Sequence, residues 1–114
     1  MSRRQSKTSA DQAAYADVFA ALGDDTRLSM LVRLSTGAPQ SITQLTDGTE
    51  LTRQAVTRHL RVLEDAGVVR SMRVGRETQF AFEPKAIDAA RSYLEQVSQQ
   101  WDDALARLKA FVET

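Results

Sequence analysis

Arg53, Gln54, Thr57, Arg58 and Arg61 stand at intervals that a helix of 100° per residue gathers into one arc of about 140°. Val56, Leu60 and Leu63 fall on the opposite side and form a packing stripe. The outward arc carries only donor-rich side chains and meets no acid until Glu64. These types suit the base edges of a major groove: arginine pairs with guanine, glutamine with adenine, and threonine meets a phosphate or a thymine methyl. The N-terminal turns of a reading helix reach the bases, so Gln54, Thr57 and Arg58 are the base-edge candidates. Arg61 lies further along and suits a phosphate, and Arg53 completes the basic arc.

Other residues that could do chemistry fit plainer roles. His59, the only histidine, falls at the edge of the Val56/Leu63 stripe and reads as a semi-buried structural residue. One histidine without cysteine makes no ordinary transition-metal site, and carboxylates alone could supply only a weak oxygen site. Asp24-Asp25 fits a helix cap better than an acid–base dyad. Asp102 and Asp103 are adjacent on a helix, point in different directions and belong to a solvated face. There is no cysteine, glycine-rich phosphate loop or Ser/His/Asp set. The expectation is no enzymatic activity, no metal and no cofactor.

Several elements must position the basic arc. Residues 1–8 are polar, basic and aperiodic, and are expected to form a disordered arm. Ser9 and Gln12 form a capping box that starts a helix carrying Tyr15, Val18, Phe19 and Leu22, and Gly23 stops it. Asp24 or Asp25 caps a second helix with Leu28, Leu31, Val32 and Leu34 on its buried side. Ser41 and Gln44 form another capping box for a short third helix, with Ile42 and Leu45 inward and Gly48 as its stop. Thr52 caps the fourth helix, which carries the arc and is closed by Gly67. Two helices joined by a short glycine-containing connection make a helix-turn-helix. Beyond Gly67 the period changes to two: Val68–Val74 and Glu77–Phe82 flank Gly75-Arg76 as a β-hairpin. Helix-turn-helix followed by hairpin is the winged-helix arrangement, and Arg73 and Arg76 put charge at the wing tip for phosphate.

The charge distribution agrees with that layout. The 114 residues have a net charge of zero, which alone argues against nucleic acid. Yet residues 1–10 carry +3, 11–50 carry −4, 51–76 carry +4 and 77–114 carry −3. All six basic residues of the third block are arginine, the type suited to phosphate and guanine. The acidic blocks are expected to face away from a duplex and limit indiscriminate binding. A hydrophobic content of 42% and charged content of 26% exclude wholesale disorder. No apolar run is longer than Val18–Leu22, so neither a membrane span nor a signal-peptide core is expected. With no cysteine, a cytoplasmic location fits.

From Pro84 onward the chain reads as one helix, roughly 40 Å long at 1.5 Å per residue. Ile87, Leu94, Trp101 and Leu108 recur at seven residues, and Ala90, Val97, Ala104 and Phe111 recur three residues on. Four unbroken heptads call for packing along the whole helix, and a domain this small offers little surface to supply it. A partner subunit is the expected cover, with Tyr15 and Phe19 of the first helix sharing the interface. The other reading is that the helix folds back over its own first helix; both can hold together.

Phe19-Ala-Ala-Leu-Gly-Asp-Asp-Thr-Arg27, Val56-Thr-Arg-His-Leu60, Leu63-Glu-Asp-Ala-Gly67 and Arg73-Val-Gly-Arg76 closely resemble, in order, the ArsR (arsenical-repressor-like) family of bacterial winged-helix regulators. The resemblance runs from about Tyr15 to Pro84. The last helix, with Trp101, Leu105, Leu108 and Lys109, looks like one branch of that family. The resemblance implies a homodimer that binds an operator palindrome and usually represses transcription, with the third and fourth helices as the DNA-binding unit. Many members sense metals through Cys-x-Cys in the third helix, where this chain has Ser41-Ile42-Thr43; others use ligands that include histidine on the last helix, where it has none. Metal sensing is therefore not carried over.

The expected fold is mainly α with a small β-hairpin: four helices, two strands and a last helix in a winged helix-turn-helix. Residues 9–84 form the DNA-binding domain and 85–114 the dimerisation helix. The expected partners are double-stranded operator DNA, a second copy of the chain, and an effector of unknown identity, with no membrane. The alternatives are a winged-helix protein-interaction module and a small-molecule sensor with its pocket between the first and last helices.

Overall fold

Asp24, Ser41 and Thr52 each accept a hydrogen bond from the backbone N–H three residues on, and each opens a helix. These caps set the frame of a computed structural model that describes residues 3–113, with side chains over 11–113. Its elements are α1 (Arg3–Leu22), α2 (Asp25–Ser35), β1 (Gln40–Ser41), α3 (Ile42–Asp47), α4 (Arg53–Asp65), β2 (Val69–Val74), β3 (Glu77–Phe82) and α5 (Pro84–Glu113). The mainly helical winged helix-turn-helix expected from the sequence is the fold observed.

Leu34, Leu45, Val56, Leu60, Leu63 and Val68 are the largest fully buried side chains, and they come from α2, α3, α4 and the entry to β2. The Val56/Leu60/Leu63 stripe thus clamps α4 to the core by one face. Truncating any of these leucines to alanine would cost about 2–5 kcal/mol. After α4, Gly67 takes φ +80°. That turn returns the N–H of Gly67 to Glu64 O at 2.9 Å and that of Val68 to Leu63 O at 3.1 Å, closing the helix and launching β2.

The expected hairpin forms, with a register that runs from Val69 opposite Phe82 to Val74 opposite Glu77. Gly75 takes φ +64° at the first position of the two-residue loop, where such a turn favours glycine. A third strand was not expected. β1 pairs antiparallel with β3, Gln40 opposite Phe80 and Ser41 opposite Gln79, giving the order β1-β3-β2. Ser41 is also the N-cap of α3, so the residue that starts the helix-turn-helix is paired with Gln79 in the wing sheet.

Two expectations need correction. First, α1 begins at Arg3, so Arg3–Thr8 are helical and Ser9 lies inside the helix instead of capping it; residues 1–2 lie outside the described residues. Arg, Gln and Lys lose little freedom in a helix and no Gly or Pro interrupts this stretch. Second, α2 turns Met30, Leu31 and Leu34 to the core, while Leu28 and Val32 sit on the outer flank, 43% and 54% exposed. α5, which the sequence expects a partner to cover, is not packed along its length within this chain. Ala90 is buried and Ile87 and Val97 are half-buried, but Trp101 is 65% and Leu108 58% exposed.

α1 and α5 meet through Tyr15 and Tyr93, whose rings stack with centroids 4.6 Å apart and planes at 26°. Beyond this seam α5 projects from the domain, and the longest dimension of the chain is 67 Å. Among the described residues no helix is long and apolar enough to cross a membrane.

Candidate nucleic-acid interface

Because α4 is held by its apolar stripe, its opposite face is free, and Arg53, Gln54, Thr57, Arg58 and Arg61 line one open groove of about 390 Å³. All are exposed except Thr57, which is half-buried. The hydroxyl of Thr57 donates to Arg53 O at 2.8 Å, leaving its methyl and an acceptor lone pair for contact with a ligand. Arg53 Nη1 donates to Thr43 Oγ1 at 2.7 Å, which draws Arg53 toward α3 and brings Thr43 to the edge of the surface. Thr43 had no signal in the sequence beyond its place in the third helix.

The wing supplies Arg73 and Arg76, both exposed, at the end of the hairpin. Strand alternation puts Arg73 on the same face as Ser71, whose hydroxyl donates to Glu64 Oε2 at 2.6 Å. Glu64, the acid that ends the basic arc, therefore has a partner in β2. Arg70, on the other face, pairs loosely with Glu83 at 3.7 Å.

Two further arginines, Arg27 and Arg33, lie in the acidic block of residues 11–50. Arg27 Nε donates to Ala21 O at 2.8 Å and Nη2 to Ala20 O at 3.2 Å, clasping the last turn of α1. Arg33 does the same for α3, through Gln44 O and Leu45 O. Cations at helix C-termini meet the negative end of the macrodipole; in sequence, these are the basic residues of the second helix.

Asp24 is the cap that the Asp24-Asp25 pair was expected to contain. The backbone N–H of Arg27, 3.0 Å from its Oδ2, holds the carboxyl below its ordinary value. Desolvation opposes that shift, and the charges of Arg27 and His59 add to it. His59 itself is half-buried, as its place beside the apolar stripe predicted. The Tyr15–Tyr93 stack occupies the seam between α1 and α5, where a small-molecule pocket was one alternative.

A helix-turn-helix domain model matches residues 22–71 of this chain. The whole fold superposes on an ArsR-like transcriptional regulator from Rhodococcus sp. RHA1 with a TM-score of 0.81 and 36% identity, covering 88% of this chain and 93% of that one. The chain belongs to the ArsR family. This ArsR-family chain is also 43% identical over 65 residues to the uncharacterized HTH-type transcriptional regulator YuzN of Bacillus subtilis, covering 52% of this chain and 71% of that protein. It is 29% identical over 87 residues to the arsenic resistance transcriptional regulator ArsR1 of Pseudomonas putida, covering 74% and 68% respectively. As an ArsR-family protein it is a DNA-binding transcriptional regulator. Its 114 residues hold no cysteine, and so offer arsenic or another soft metal no thiolate.

Proposed function

We propose that this ArsR-family chain is a homodimeric repressor of a palindromic operator. Residues 9–84 form the reading head and 85–114 the dimerisation helix. The observation that carries the reading is the shared groove on α4: five donor-rich side chains on one face, flanked by Arg73 and Arg76 of the wing. Gln54, Thr57 and Arg58 read base edges in the major groove; Arg61 and the wing arginines hold phosphates. Arg53, already held by Thr43, steadies the entrance to the groove.

A second copy covers the apolar strip of α5. Leu94, Trp101 and Leu108 are at least half exposed at heptad spacing, a face that a single chain leaves in water. Two such helices set the two α4 helices about 10 base pairs apart, or a multiple of that. An effector acts by changing the relative orientation of the protomers, since a misorientation weakens both half-sites together. Repression follows from occupancy of the operator.

Selection of binding sites from random duplexes, repeated at two salt concentrations, tests the proposal. The expected result is a palindrome with fixed half-site spacing and an affinity that falls steeply as salt rises. An enriched single half-site would remove the dimer. No enrichment, with binding insensitive to salt, would overturn the reading in favour of a protein-interaction module.

A further inference from the structure

The carbonyls that Arg33 meets are ones that α3 leaves open. A helix ends with its last acceptors lacking backbone donors, and here the N–H groups of Gly48 and Thr49 both turn to Thr46 O. Arg33 Nη2 instead reaches Gln44 O at 2.9 Å and Nη1 reaches Leu45 O at 3.4 Å. The guanidinium gets there by lying over Gly48: a Cβ added at that position would overlap Nη1 and come within 2.8 Å of Cζ. Gly48 itself has φ −87° and ψ 4°, a conformation open to any residue. Its backbone does not call for glycine; the room taken by Arg33 does.

We infer that Arg33 is a positioning residue for operator reading. It fastens the end of α3 to α2 across Gly48, and so fixes the turn that leads through Thr49 and Leu51 to the α4 cap at Thr52. The angle at which α4 presents Gln54 and Arg58 depends on that turn. Arg33 does not line the α4 groove, so it acts on binding through this geometry and not by contact. The apolar stripe of α4 holds the helix in the core without Arg33, which makes the effect one of aim and not of folding. The inference rests on the reading of α4 as the element that meets the bases.

A double-substitution cycle tests it, using Gly48→Ala, Arg33→Met and the two combined. Affinity is measured for the selected operator and for a random duplex of equal length, with thermal melting alongside. Gly48→Ala alone is expected to push the guanidinium off the α3 carbonyls and reduce the preference for operator by about tenfold, within the usual coupling of neighbouring groups. The slope of affinity against salt is expected to stay unchanged, because no phosphate contact is lost. In the Arg33→Met background the same Gly48→Ala change is expected to cost nothing further, and to raise melting slightly by restricting the unfolded chain. Arg33→Lys, with one point charge in place of a fork, restores part of the preference. Equal losses on both duplexes with a shallower salt slope would make Arg33 a phosphate contact. Additive losses, or an unchanged operator preference, would sink the positioning role. Should Arg58→Ala leave the preference intact, the α4 reading fails, while the Arg33–Gly48 coupling in melting still stands or falls by itself.

Discussion

Ser71 Oγ lies 2.6 Å from Glu64 Oε2, and this side-chain hydrogen bond joins the wing to the last turn of α4. A short donor to a carboxylate is the stronger kind of hydrogen bond, but this one is exposed to water. Ser71→Ala is therefore expected to cost about 1 kcal/mol or less of stability, measured by urea denaturation. Its larger effect is expected on DNA: the loss caused by Arg73→Ala should shrink in the Ser71→Ala background, because a wing that is no longer held gains less from its arginine. Undiminished loss would show that the contact does not set the wing.

Arg58 lies on the exposed face of α4 and Arg76 at the wing tip, and the two are expected to fail differently. Arg58→Ala should relax sequence preference and cost about 1–3 kcal/mol on the operator, whereas Arg76→Ala should weaken all duplexes alike and lower the salt slope by about one. Fluorescence anisotropy on specific and random duplexes separates them. An equal loss on both from Arg58→Ala would move that residue to the phosphates.

Trp101 is 65% exposed, so a charge there does not disturb the packing of a single chain. Trp101→Glu is expected to give a folded monomer that no longer holds a palindromic operator. Analytical ultracentrifugation decides it: a dimer that persists at low micromolar protein would refute the α5 interface.

Asp24 has a lowered pKa in the folded chain, set first by the Arg27 N–H that caps α2. A carboxyl lowered on folding stabilises the protein above its ordinary value, and that contribution is lost as pH falls through the lowered one. The gap in urea midpoint between the wild type and Asp24→Asn should therefore be constant near neutral pH and close in acid, below the ordinary carboxylate range. A gap that stays level down to the most acid measurement would contradict the assignment.

The sequence displayed most plainly what a single helix face can encode. Val56, Leu60 and Leu63 pack and Arg53, Gln54, Thr57, Arg58 and Arg61 stay out because spacing alone sorts them. α2 was harder to read, since Leu28 and Val32 are as apolar as Leu31 and Leu34 and only the neighbours decide which pair is covered. β1 has two residues, Gln40 and Ser41, too few to show alternation. The roles of Arg33 and Thr43 depend on partners ten or more residues away, which no local pattern records.

The short pairing of β1 with β3 has a bearing on DNA itself. Through Ser41 it ties the start of α3 to the wing sheet, and through Ser71 the sheet is tied again to α4. If α4 and the wing dock together as proposed, these ties are expected to shift part of the deformation onto the duplex, so that base steps no side chain touches enter the affinity through their stiffness.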